Sequence, residues 1–171
     1  TYFYGSLAEP MSCIIGTFHA MYHTTYGSYV HEMGIREGGN MLMLAGNGPM
    51  GQAAIDYIIH CDRRPGLLVV TGRRQEQLDR LAKLLTDVLV FTPVAEMVEL
   101  GDALLANDGC LNFFSGPSDK DFKAQFNFYN VHYASTHIVG TSGGNTSDMK
   151  EAALMMKEGR LNPSNLSPYI S

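Results

Sequence analysis

Apolar positions along the chain follow two periods. Short runs stand at residues 41–44 (MLML), 67–71 (LLVVT), 88–91 (VLVF), 110–114 (CLNFF) and 137–141 (HIVGT). Compact apolar runs of this length predict strands of a parallel sheet buried on both faces. Between them, apolar residues recur at helical spacing: Met11, Ile14, Ile15 and Phe18; Ala53, Ala54, Tyr57 and Ile58; Leu78, Leu81, Leu84 and Leu85; Met97, Leu100, Leu104 and Leu105; Ala153 and Met156. These predict a helix beginning at Glu9-Pro10 with Pro10 in its first turn, and others resuming at Gln52, over 75–85, over 95–106 and from about Ser147. The Asp148/Glu151 spacing suits a capping box for the last, and Gly159 suits its stop. Residues 124–128 alternate, as an edge strand or an extended flap would. Residues 1–8 and 22–39 predict no element, although Glu37-Gly38-Gly39 reads as a turn into the first strand.

The first strand breaks into Gly46, Gly48 and Gly51, the G-x-G-x-x-G spacing. The first glycine permits a tight turn, the second lets backbone approach a pyrophosphate, and the third lets the following helix pack closely on the strand. The N-terminus of that helix then faces the anion. With the helix at 52–60 and the strand at 67–71 this makes a βαβ unit. Strands alternating with helices predict an α/β fold, a doubly wound parallel sheet of Rossmann type with helices on both faces. Its ligand would sit in the crevice at the carboxyl ends of the strands. Residues 46–51 (Gly46, Asn47, Gly48, Pro49, Met50, Gly51) are the candidate dinucleotide site.

Composition narrows the partners. In 171 residues, 45% are hydrophobic and 17% charged, ordinary for one domain with a real core. Twelve basic against seventeen acidic residues give a net charge of −5, which argues against nucleic acid or an anionic membrane surface. No apolar stretch is long enough to span a bilayer. Cys13, Cys61 and Cys110 include no C-x-x-C pair, so neither a disulfide framework nor a thiolate zinc cluster is indicated, and a reducing, cytoplasmic setting is expected. The chain opens at Thr1 without a signal-peptide pattern, as expected for a piece of a longer protein.

The second strand ends at Thr71, where an NAD-binding domain places an acidic residue for the ribose hydroxyls. Here Gly72, Arg73 and Arg74 follow. A carboxylate would repel a 2′-phosphate, whereas guanidinium groups receive it, so NADP is favoured and NAD is the alternative. Cations near a helix start also oppose its dipole, which an anionic ligand would justify.

The segments Glu9-Pro10-Met11-Ser12-Cys13 and Gly46-Asn47-Gly48-Pro49-Met50-Gly51 resemble the cofactor half of the zinc-dependent medium-chain dehydrogenases, the sorbitol-dehydrogenase branch above all. The stretches GCLNFFSGP at 109–117 and VGTSGGNTSDM at 139–149 resemble the L-sorbose-1-phosphate reductases of that group. The resemblance implies hydride transfer between nicotinamide C4 and a polyol, ketose or sugar-phosphate carbon, with zinc as Lewis acid. It implies that Glu9 lies beside that zinc, that Thr92, Pro93, Val94, Phe114 and Ser115 lie near the nicotinamide, and that the enzyme is a homodimer or homotetramer paired through 137–141. The other zinc ligands would belong to a catalytic domain preceding Thr1. Residues 1–38 then form a lead-in helix and linker, 39–161 the dinucleotide-binding domain, and 162–171 the return towards the catalytic domain. A further strand and crossover helix expected by the resemblance would be lacking between Leu85 and Thr86. No catalytic residue falls in this chain, which should bind cofactor without turnover.

Other constellations are weaker. His19, His23 and His31 lack a zinc-protease pattern and read as surface or partly buried, as do His132 and His137. Tyr129 and Tyr133 are not followed by lysine four residues on, which sets aside the short-chain dehydrogenases. Cys13 reads as core. The alternatives are a non-catalytic NADP(H)-binding or sensor module and a zinc-independent reductase of the same superfamily.

Overall fold

The computed structural model of the chain describes residues 2–25, 28–46, 48–71 and 85–162, with backbone only for 2–4. Five helices and seven strands are described: α1 (Tyr2–Ala20), β1 (Tyr22–Thr24), β2 (His31–Met33), β3 (Asn40–Leu44), α2 (Pro49–His60), β4 (Leu67–Thr71), β5 (Leu85–Val90), α3 (Ala95–Leu104), β6 (Leu105–Phe113), α4 (Phe128–Tyr133), β7 (His137–Gly140) and α5 (Thr146–Lys157). Strands β3 to β7 form one parallel sheet in the order β4-β3-β5-β6-β7, while β1 and β2 pair antiparallel. The predicted doubly wound sheet is present, with its order reversing between β3 and β5.

Each sheet face has its own core. On one, α1, α2 and α5 bury Met11, Ile15, Phe18, Ala54, Ile58 and Met155 against Met41, Met43 and Leu89. On the other, Val98 and Leu104 of α3 cover Leu42, Leu44, Val88, Val90 and Leu111, joined by Phe122, Ala124 and Phe126. Side chains alternate across a strand, so the unbroken apolar runs of β3 and β5 feed both cores. Residues 122–127 follow no regular structure, yet their alternating side chains lie on the second core; of the two readings, the extended flap holds. The buried Asp102 accepts the Asn127 amide at 2.9 Å and pins the end of that flap.

Several boundaries differ from expectation. Helix α1 begins at Tyr2, and Pro10 lies inside it; Leu7 and Ala8 are good helix formers, and the buried row of Ala8, Met11 and Ile15 carries the core-facing stripe across the proline. Helix α2 starts at Pro49 rather than Gln52, since proline suits the first helical position. Residues 75–84 of one predicted helix lie outside the described residues, and Leu85 opens β5 instead of ending that helix. Helix α3 stops at Leu104, and β6 absorbs the predicted Asp108-Gly109 turn as a bulge: the register jumps from Leu85↔Leu105 to Asp87↔Cys110, with Asp108 at φ 57°. Strand β4 is partly exposed, with Leu67 and Val70 at 44% and 40%, because among the described residues it is a sheet edge. The last helix is capped by Asn145, which receives the Ser147 and Asp148 amides while the Asp148 carboxylate receives the Asn145 amide; the capping box is therefore Asn145/Asp148, not Asp148/Glu151. Gly159 ends that turn at φ 73°, as expected. The β1–β2 hairpin and α4 were not foreseen.

Candidate active site

The glycine turn is built from strand outward. After Leu44, Ala45 adopts a left-handed φ of 58°, and its amide donates to the Thr71 carbonyl at 3.2 Å, tying the turn to the end of β4. Gly48 is the residue before α2 and supplies the first helical acceptor, for the Gln52 amide at 2.9 Å. A Cβ on Gly51 would lie 2.3 Å from the Gly46 carbonyl oxygen, so helix and turn touch backbone to backbone there. A Cβ on Gly48 would meet nothing within 4 Å, leaving open space before α2. Among the described residues no side chain caps that helix, whose first amides point outward without an intrahelical acceptor. This is the arrangement an anionic group needs.

A cleft of about 580 Å³ opens at the carboxyl ends of the strands. Its walls are Cys13 of α1, Met50 of α2, residues 113–117 from the end of β6 onward and residues 140–142 from the end of β7 onward. Phe91 meets Phe114 edge to face at 5.4 Å, and Ser115 Oγ donates to the Val90 carbonyl at 3.2 Å, so this wall is held to the sheet. On the other side, Thr17 and Thr141 hydroxyls share a hydrogen bond of 2.9 Å. Gly144 lies so close to α1 that a Cβ there would sit 2.1 Å from the Ser12 carbonyl oxygen. The GTSGG stretch is thus the close contact between α1 and the loop after β7.

Of the sequence candidates, Met50, Phe114 and Ser115 line the cleft, while Gly46, Gly48, Pro49 and Gly51 form the turn beside it. Thr71 ends β4 against that turn. Thr92, Pro93 and Val94 follow β5 and are not among the residues lining this cleft. Asn47, Gly72, Arg73 and Arg74 lie outside the described residues. Cys13 is not core: it lines the cleft and its thiol donates to Glu9 Oε1 at 3.3 Å. Burial first, and then the Glu9 carboxylate, push the Cys13 thiol up against the opposing Gly144 amide, so it stays protonated at neutral pH. Sequence reasoning also passed over Phe113, Gly116, Pro117, Gly140, Thr141 and Ser142; their signal was their place at or just beyond the carboxyl ends of the predicted strands.

Glu9 is exposed on α1, one turn before Cys13. Among the described residues no three His, Cys, Asp or Glu side chains are placed to share a metal ion. Since zinc takes three or four protein ligands, these residues do not themselves make a zinc site, and Glu9 offers one carboxylate. His23 is buried rather than peripheral, whereas His19 is 45% exposed and bonds Asp148 at 2.7 Å. No described helix is long and apolar enough to cross a membrane.

Comparison with known proteins fits this geometry. No protein-family model matches the sequence. The chain is 47% identical to mannitol-1-phosphate 5-dehydrogenase of Aliivibrio fischeri, covering 96% of the chain and 48% of that enzyme. It is 44% identical to L-sorbose 1-phosphate reductase of Klebsiella pneumoniae, covering 99% and 49%. It thus spans about half the length of the curated relatives it matches. The first alignment runs over 201 positions and exceeds the chain's 171 residues by 30, so that relative has at least 30 positions without a counterpart here. Among solved structures, Haloferax mediterranei glucose dehydrogenase in complex with NADP, zinc and gluconolactone superposes with a TM-score of 0.67 at 18% identity, covering 95% of this chain and 50% of that one. Over nearly its whole length the chain is homologous to about half of each of these two sugar-phosphate enzymes, and it carries the Rossmann-type fold of the solved dehydrogenase.

Proposed function

We propose that this chain is the cofactor-binding part of an oxidoreductase that moves a hydride between NADP(H) and a polyol or ketose carbon of a sugar phosphate, of the L-sorbose 1-phosphate or mannitol 1-phosphate kind. The observation that carries the reading is the glycine turn: Gly51 seated on Gly46, open space before Gly48, and the strand-end cleft alongside. Bound there, the cofactor would supply the hydride when reduced and accept it when oxidised. The chain's own residues hold and orient it: the first amides of α2 receive pyrophosphate, Thr71 positions the turn beside the ribose, and Met50, Phe114 and Ser115 exclude water from the nicotinamide end. Gly72, Arg73 and Arg74 would select the 2′-phosphate, and Thr92, Pro93 and Val94 would approach the ring from β5.

The relatives' greater length supports a division of labour. Residues 1–38 lead in from a catalytic domain, 39–161 bind the dinucleotide, and 162–171 return; positions absent between Leu85 and Thr86 belong to the family's further strand and helix. Zinc would be held mostly by the catalytic domain, with Glu9 adding one carboxylate at the rim. The complete protein would work in the cytoplasm as a homodimer or homotetramer paired through β7, without nucleic-acid or membrane partners.

The test is an assay of the complete protein for NADP(H)-linked oxidoreduction of hexitol and ketose phosphates, with metal analysis of the same sample. Turnover with one catalytic zinc per subunit supports the reading. Active, metal-free protein would replace it with a zinc-independent reductase, and cofactor binding without turnover on any such substrate would replace it with a sensor module.

A further inference from the structure

At the end of the sheet opposite the cleft, the bulge in β6 gathers charged groups from five parts of the chain. His23 on β1 is 2% exposed, and both ring nitrogens face oxygen: Nε2 lies 2.9 Å from Asp87 Oδ1 and Nδ1 lies 2.9 Å from the Asp108 carbonyl. With Asp87 as a carboxylate, the two acceptors require two N–H donors, which assigns the ring as the imidazolium. Asp87 on β5 is fully buried and also receives the Thr86 hydroxyl at 2.8 Å and the Arg36 amide at 3.3 Å. The Asp108 carboxylate receives the Thr24 amide and hydroxyl, the Arg36 guanidinium and His137 Nε2 from β7.

We propose that His23 is a proton-dependent latch, holding the β1–β2 hairpin to the base of the sheet only while its ring is doubly protonated and clamped between Asp87 and Asp108. Charge balance supports this. Two carboxylates, Asp87 and Asp108, face two cations, His23 and Arg36; loss of the His23 proton leaves the Asp87 carboxylate buried without its counter-charge. It also turns one ring lone pair towards an oxygen, either the Asp108 carbonyl or Asp87. The neighbouring Cys110 and Tyr22 offer no replacement counter-charge, since a thiol or phenol carries no positive charge, and burial foremost keeps both protonated, pushing Cys110 up to about 12 and Tyr22 above its ordinary value. Asp108 sits in the left-handed region, a conformation that persists because its surroundings hold it.

Burial alone would push His23 down, but the Asp87 hydrogen bond and charge and the Asp108 carbonyl outweigh it, against Arg36, and the net shift is upward from 6.5. A raised value means stability is fully present below the unfolded value and is lost as pH rises through the folded one. Asp108 acts on the acid side. Although burial raises it, His137, Thr24 and Arg36 bring it below 3.8, so its contribution is lost as pH falls. The hairpin is therefore held most firmly between those limits.

The first test is a side-chain 15N titration of the full chain. His23 should keep both ring protons at neutral pH; a neutral His23 there overturns the latch. The second is amide exchange over residues 22–33, corrected for intrinsic rates, at about pH 6 and about pH 9; protection should be lower at the higher pH, by about tenfold for each unit by which closing the hairpin raises the His23 value. A His23→Gln variant should give the same corrected protection at both pH values. Unchanged protection in the wild type, or an equal loss in the variant, would overturn the proposal, and the titration decides it even where that variant does not fold.

Discussion

Replacing Gly51 by Ala separates the structural from the binding role of the glycine turn. The new Cβ would stand 2.3 Å from the Gly46 oxygen and 2.5 Å from its carbonyl carbon, both backbone atoms of a turn fixed by the Ala45–Thr71 hydrogen bond. Comfortable carbon contacts lie at about 3.5–4.0 Å, so α2 must retreat by roughly 1 Å. Overpacking of this kind costs about 3 kcal/mol at the upper end of its usual range, offset by about 1 kcal/mol from exchanging glycine for alanine inside a helix. The net loss of about 2 kcal/mol lowers Tm by about 4–8 °C in a chain of this size. Gly48→Ala is the control: its Cβ meets nothing, so Tm should hold or rise slightly while NADPH affinity falls about tenfold because the methyl occupies the approach to α2. Calorimetric unfolding and fluorescence titration read the two effects. A Gly51→Ala protein as stable as wild type, or a Gly48→Ala protein that binds NADPH unchanged, would refute the reasoning.

Two further outcomes follow from the packing. Asp148→Ala removes both the capping-box return to Asn145 and the His19 partner from a buried position, and should cost about 2 kcal/mol by urea unfolding; a change below about 0.5 kcal/mol would make that network ornamental. Among the thiols, Cys13 should alkylate first and NADPH should protect it, because Cys61 and Cys110 are buried and pushed up, chiefly by burial, to about 11 and about 12; first labelling of Cys61 would contradict the cleft's placement.

The sequence made the sheet legible where the pattern was local. MLML and LLVVT declared β3 and β4, and three glycines at fixed spacing declared the turn and the close contact between Gly46 and Gly51. What it hid was non-local. His23 finds Asp87 and Asp108 64 and 85 residues away, a juxtaposition no spacing records. Strands of three residues in β1 and β2 are too short for alternation to speak. Cys13 lies among apolar neighbours in sequence, whereas Glu9 and Thr17, one turn to either side, mark a polar row on α1 that hydrogen-bonds with it. The edge character of β4 follows from strand order, which a run of apolar residues does not encode.

The central claim, that the turn at 46–51 and the cleft beside it hold NADP(H), is tested most directly by titrating the chain with NADPH and NADH alongside Gly72→Asp. The account predicts tighter binding of NADPH, about tenfold or more, with the preference reversed by the introduced carboxylate. Binding of neither nucleotide would contradict it, leaving the glycine turn as packing alone.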